Sequence, residues 1–98
     1  MGALLIEYQY SGDEPIWSST VQEFIQNIES DPVLKNKMRY SVFVKEDGVS
    51  RVHIPSWDSE ETLKHLQAQP FFSEFAKKVK EFAGASLRTT PIKCGTSL

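Results

Sequence analysis

Ninety-eight residues suffice for one small domain, and a net charge of −2 lacks the basic excess that a dedicated nucleic-acid binder needs to neutralise phosphates. Hydrophobic residues at 40% and charged residues at 24% exclude a disordered chain, and the longest apolar run, Ala3 to Ile6, falls far short of the ~20 residues that cross a membrane. No basic segment followed by a long apolar run opens the sequence, so a cytoplasmic protein is expected.

Residues Ala3 to Tyr10 alternate after an apolar start, with Leu4, Ile6, Tyr8 and Tyr10 on one face and Leu5, Glu7 and Gln9 on the other. That pattern predicts a strand with one apolar and one mixed face. Ser11, Gly12 and Asp13 break it, and Pro15 suits the first turn of a helix, where its missing N–H is not needed. Trp17, Val21, Phe24, Ile25 and Ile28 then form the stripe of an amphipathic helix, which Ser30-Asp31-Pro32 ends.

Met38 to Glu46 alternates again, with Met38, Tyr40, Val42 and Val44 opposing Arg39, Ser41, Phe43 and Lys45. Asp47-Gly48 signals a hairpin, and Val49 to Trp57 returns as a third strand. Arg51, His53, Pro55 and Trp57 share one of its faces; Val52 and Ile54 share the other with Ser50 and Ser56. The expectation is that Val52 and Ile54 face the core and that Arg51 and His53 face outward.

Asp58 or Ser59 can cap the next helix, whose buried side carries Leu63 and Leu66. Pro70 interrupts, and a second stripe follows at Phe71, Phe72, Phe75, Ala76, Val79 and Phe82 until Gly84. Ala85 to Ile92 reads as a fourth strand. Residues 1–93 are expected to form the domain and 94–98 a flexible tail. The tail holds the single Cys94, and no Cys/His spacing suggests a metal site.

The order strand, helix, two strands, helix pair, strand predicts a ferredoxin-like βαββαβ α+β sandwich with the helices on one face of a four-stranded antiparallel sheet. The other face would carry Glu7, Gln9, Arg51 and His53, together with Phe43 and Arg88. Packed against the same face of a second chain, it would enclose a lined chamber; left alone, it would be an ordinary wet sheet face. Lys77, Lys78 and Lys80 read as a solvated helix face.

The stretch from Val52 to Phe82 resembles the antibiotic biosynthesis monooxygenase superfamily. The features that carry the resemblance are a strand ending in Trp57, the acidic and Ser-rich helix start Asp58-Ser59-Glu60-Glu61, His65 within the helix, and Phe71-Phe72 with Phe75 opening the next. The resemblance implies a homodimeric α/β barrel. It also implies oxygenation of a small phenolic or quinol-type aromatic molecule without metal or cofactor. The haem-degrading branch is not implied, because its three characteristic positions correspond here to Glu7 or Tyr8, His65 and Phe75.

Within that framework His65 or His53 is the candidate base, and Arg51 the group that stabilises the resulting anion. Trp57, Glu7, Gln9, Phe43, Phe72 and Arg88 are the candidate substrate contacts. Each has a plainer reading: a surface or interface histidine, a cross-strand pair of His53 with Glu7, and core phenylalanines at helical spacing. Tyr8, Tyr10 and Tyr40 read as core residues with their hydroxyls at the rim. Pro55 stands where many members carry an acid. This favours the competing reading of a non-catalytic ligand-binding or oligomerisation module.

Overall fold

The computed structural model describes residues 1–93, 95 and 96; Cys94 lies outside them. The elements are β1 (Gly2–Gln9), α1 (Glu14–Ser30), β2 (Met38–Val44), β3 (Ser50–Trp57), α2 (Glu60–Gln67), α3 (Pro70–Ala83), a single 3-10 turn (Gly84–Ser86) and β4 (Arg88–Ile92). The four strands form one antiparallel sheet in the order β2-β3-β1-β4. The predicted α+β ferredoxin-like architecture is therefore the observed one. The start of the last strand differs: Ser86 accepts from Gln9 N–H and donates to Ala83 O, which holds a helical turn where extended chain was expected.

Local chemistry sets the element ends. Asp13 caps α1 by accepting from Ile16 N–H, with Pro15 in the first turn. Ser59, rather than Asp58, caps α2 by accepting from Thr62 N–H. Gly84 ends α3 at φ 56°, a region that costs glycine little. In the β2–β3 hairpin, Asp47 accepts from Val49 N–H, Ser50 N–H and the Ser50 hydroxyl. The side-chain bond from Ser50 leads the causes that hold the Asp47 carboxyl down at about 2.

The helices cover one sheet face, and the core lies between the layers. Tyr8, Trp17, Val21, Phe24, Ile28, Leu34, Met38, Leu66, Phe75 and Val79 are buried there. The Phe24 and Phe75 rings stack at 3.8 Å between centroids and join α1 to α3.

The orientation of β3 corrects the expectation from its composition. Val42 pairs with His53, Tyr8 with Arg51 and Ile6 with His53, so Arg51 and His53 lie on the helix-covered face. They are 1% and 0% exposed. Val52 and Ile54 lie on the open face, with Leu5, Glu7, Phe43, Arg88 and Ile92.

Candidate active site

A cleft of about 470 Å³ opens between the sheet and the α2–α3 pair of a single protomer. Leu4, Ile6, Met38, Tyr40, Pro55 and Trp57 supply its sheet wall, and Leu63, Leu66, Phe72, Phe75 and Val79 its helical wall. Tyr40, Trp57, Gln67, Lys80 and Thr89 bring the only polar side-chain atoms among the described lining residues. A concave, mostly apolar cavity with a few fixed polar groups is the usual form of a small-molecule site. The elements that build it follow from the sequence pattern: Trp57 ends β3, and α2 and α3 present their apolar stripes toward it.

A chain of hydrogen bonds runs from the core to Tyr40 in the cleft wall, buried at its inner links and part-buried at the last. Trp17 Nε1–H donates to the Tyr8 hydroxyl at 2.8 Å. The Tyr8 hydroxyl lies 2.7 Å from His53 Nε2, and His53 Nδ1 lies 2.8 Å from the Tyr40 hydroxyl. Burial pushes the His53 pKa down to about 4, so its ring is neutral at pH 7. Burial also raises Tyr8, against a lowering hydrogen bond from Trp17. Tyr40 is raised far above the ordinary phenol range by burial, with Tyr8 adding to it. Both phenols therefore stay protonated near neutral pH.

The predicted site residues do not gather at one place. Trp57 and Phe72 line the cleft. His53 stands behind it, and its depressed pKa makes it a poor proton acceptor at pH 7, contrary to the expected role as base. Arg51 is corrected as well. Its guanidinium meets both Glu14 carboxylate oxygens at 2.7 Å and donates to the carbonyls of Tyr10, Gly48 and Val49. It also lies 4.3 Å from the centroid of the Trp17 ring. With its donors engaged, it stabilises the join between α1 and the hairpin and has no donor directed into the cleft.

His65 is not among the cleft residues. Its Nε2 lies 3.1 and 3.0 Å from the two Asp31 carboxylate oxygens, tying α2 to the end of α1. Burial works to raise the Asp31 pKa, but hydrogen bonds from His65, Val33 and Leu34 outweigh it and the net shift is downward. Glu7, Gln9 and Arg88 border a separate polar depression of about 460 Å³ with Tyr8, Lys45, Ser50, Arg51 and Ser86, so four of the predicted residues, Arg51 among them, meet there. Phe43 is 54% exposed on the open face and lines neither cavity. The apolar cleft is thus within one protomer, whereas the sequence pattern pointed to a chamber between the sheets of two chains.

Tyr8 and Tyr40 were expected at the rim but hold their hydroxyls in the buried chain; only Tyr10 donates at an exposed edge, to Asp13 O. Their connection through His53 escaped the sequence pattern. The signal for it was the hairpin register, which sets His53 on the face of Tyr40 and Val42.

The sequence matches no family model and no curated protein. Solved structures do match. SnoaB, a cofactor-independent oxygenase from Streptomyces nogalater, superposes with a TM-score of 0.76 at 15% identity, over 99% of this chain and 95% of that one. Rv0793 from Mycobacterium tuberculosis gives a TM-score of 0.76 at 14% identity, over 98% of this chain and 96% of its own. An antibiotic biosynthesis monooxygenase gives 0.76 at 13% identity, over 98% of this chain and all (100%) of that one. The protein therefore has the ferredoxin-like fold of the antibiotic biosynthesis monooxygenases.

Proposed function

We propose that the protein is a small-molecule oxygenase that takes a phenolic or quinol-type aromatic into the cleft between the sheet and α2–α3 and oxidises it without metal or bound organic cofactor. The observation that carries this reading is the cleft itself: about 470 Å³, walled by aromatic and aliphatic side chains. The fold shared with a cofactor-independent oxygenase supports it by analogy.

An electron-rich ring placed there loses its water and meets dioxygen, itself apolar, in the same space. For an anthrone-type substrate the ring CH₂ becomes C=O. One oxygen atom of O₂ is retained, the other leaves as water, and the substrate supplies all four electrons. Trp57 and Phe72 hold the ring system, and Tyr40 stands in the sheet wall beside them.

A second reading, ligand binding without catalysis, is favoured by one feature. No carboxylate or histidine is found among the described residues that line the cleft, so no carboxylate or imidazole base touches a bound substrate directly. Oxygen uptake with a panel of quinols and anthrone-type phenols separates the two. The oxygenase reading expects uptake that falls to background in Ala76→Phe, which fills the cleft from α3. Ligand binding with no uptake above that variant removes the oxygenase reading and leaves the binding one.

The same reading includes a homodimer through the open sheet face. Leu5, Val52 and Ile54 lie there half-buried, and Phe43 and Ile92 are 54% and 38% exposed. An apolar strip of this kind on a small domain is suited to a second copy of the same face.

A further inference from the structure

The proton inventory of the buried chain has a direction. The Trp17 indole nitrogen is a donor only, so the Tyr8 oxygen receives its proton. Tyr8 is 3% exposed, and its own hydroxyl hydrogen has one available acceptor among the described residues, His53 Nε2. A neutral imidazole that accepts at Nε2 carries its proton at Nδ1 and donates it to the Tyr40 oxygen. The Tyr40 hydroxyl hydrogen is then left over, on a residue that lines the cleft. The reverse arrangement, with Tyr40 donating to Nδ1 and Nε2–H donating to Tyr8, strands the Tyr8 proton in the core, where an unmet donor is costly.

We propose that the Tyr40 hydroxyl is the recognition group of the cleft. It donates a hydrogen bond to an acceptor oxygen, a ring ketone or a phenolate, on an otherwise apolar ligand. The inference rests on the reading of the cleft as an aromatic-ligand site and adds the polarity of the ligand atom that faces the sheet. His53 is a positioning residue: its Nδ1 proton fixes the Tyr40 oxygen and turns the phenol hydrogen toward the ligand. The shift of Tyr40 far above the usual phenol range keeps that proton in place at neutral pH. A fixed donor in a mostly apolar wall also selects, because a ligand oxygen that finds it loses less on leaving water than one that does not.

Two measurements test this. Fluorenone and fluorene share a tricyclic skeleton and differ at one position, C=O against CH₂. Their affinity ratio in the wild-type protein is compared with the ratio in Tyr40→Phe, which keeps the ring packed on Phe24 and Phe75. The comparison cancels their different solubilities. The expected result is that the preference for fluorenone drops about fivefold in the variant, as for one neutral hydrogen bond, with fluorene affinity unchanged. Fluorene binding with the same ratio in both proteins overturns the inference alone. Failure of both molecules to bind the wild-type protein overturns the aromatic-site reading and the inference with it. Independently of any ligand, the ¹⁵N shifts of His53 are expected to show the Nδ1–H tautomer, and the Nε2–H tautomer would overturn the assigned direction.

Discussion

The guanidinium of Arg51 and the carboxylate of Glu14 form a two-pronged ion pair, both contacts at 2.7 Å, across 37 residues of sequence. The pair is asymmetric: the Arg51 side chain is 1% exposed, whereas that of Glu14 is 55% exposed. Hydrogen bonding by Arg51 lowers the Glu14 pKa, and the same bond raises that of Arg51. Arg51 is thus a structural cation sealed by an exposed lid. Arg51→Ala is expected to destabilise the fold by about 3 kcal/mol, because it removes a buried charge whose three nitrogens are all hydrogen-bonded and uncovers Trp17. Urea denaturation checks this. Glu14→Gln is expected to lower the urea midpoint while leaving fluorene affinity unchanged, since neither residue lines the cleft.

His53 makes stability depend on pH with a definite sign. Burial holds its pKa at about 4 in the folded protein, against an ordinary value of 6.5. Between those values the unfolded chain holds a proton that the folded one refuses. The contribution is present in full above pH 6.5 and is lost as the pH falls toward 4. Its size is about 3 kcal/mol at about 1.4 kcal/mol per unit. Urea midpoints at pH 7, 5.5 and 4.5 are expected to fall more steeply for the wild-type protein than for His53→Gln. Parallel curves would show that the buried imidazole is not the cause.

Much of the fold can be read from local signals. Pro15, Pro70 and Gly84 mark helix ends, and the stripe from Trp17 to Ile28 marks the buried side of α1. The orientation of β3 was harder, because its two faces compete: Val52 and Ile54 on one, Pro55 and Trp57 on the other. Period alone cannot choose between them. The hairpin can. Centred on Asp47-Gly48, it sets His53 opposite Val42 and Pro55 opposite Tyr40, on the face that Met38 anchors in the core. Arg51 and His53 are tolerated inside because partners distant in sequence, Glu14 and Tyr8, satisfy them. No local pattern shows such pairs, which is why the cleft between the sheet and the helices was not foreseen.

Gly2 controls Trp57. A Cβ built at Gly2 would collide with the Trp57 indole, next to its Nε1. Gly2→Val is therefore expected to displace the indole from the cleft wall. The Trp57 Nε1–H resonance should move while that of Trp17, held by Tyr8, stays in place. Fluorene affinity should fall severalfold. An unmoved Trp57 resonance would show that β1 yields instead.

The open face carries the dimer proposal. Phe43→Glu places a charge on a residue already 54% exposed, so folding should tolerate it. Sedimentation is expected to give a dimer for the wild-type protein and a monomer for the variant at micromolar concentration. A wild-type monomer would remove the dimer without touching the cleft.

The most direct test of the account is to map where an aromatic ligand sits. Fluorenone titrated into ¹⁵N- and ¹³C-methyl-labelled protein should shift Leu63, Leu66, Ala76 and Val79 together with the Trp57 indole, and leave the open face unmoved. Shifts confined to Glu7, Gln9, Val52 and Arg88 would contradict it, placing the ligand on the far side of the sheet from the cleft.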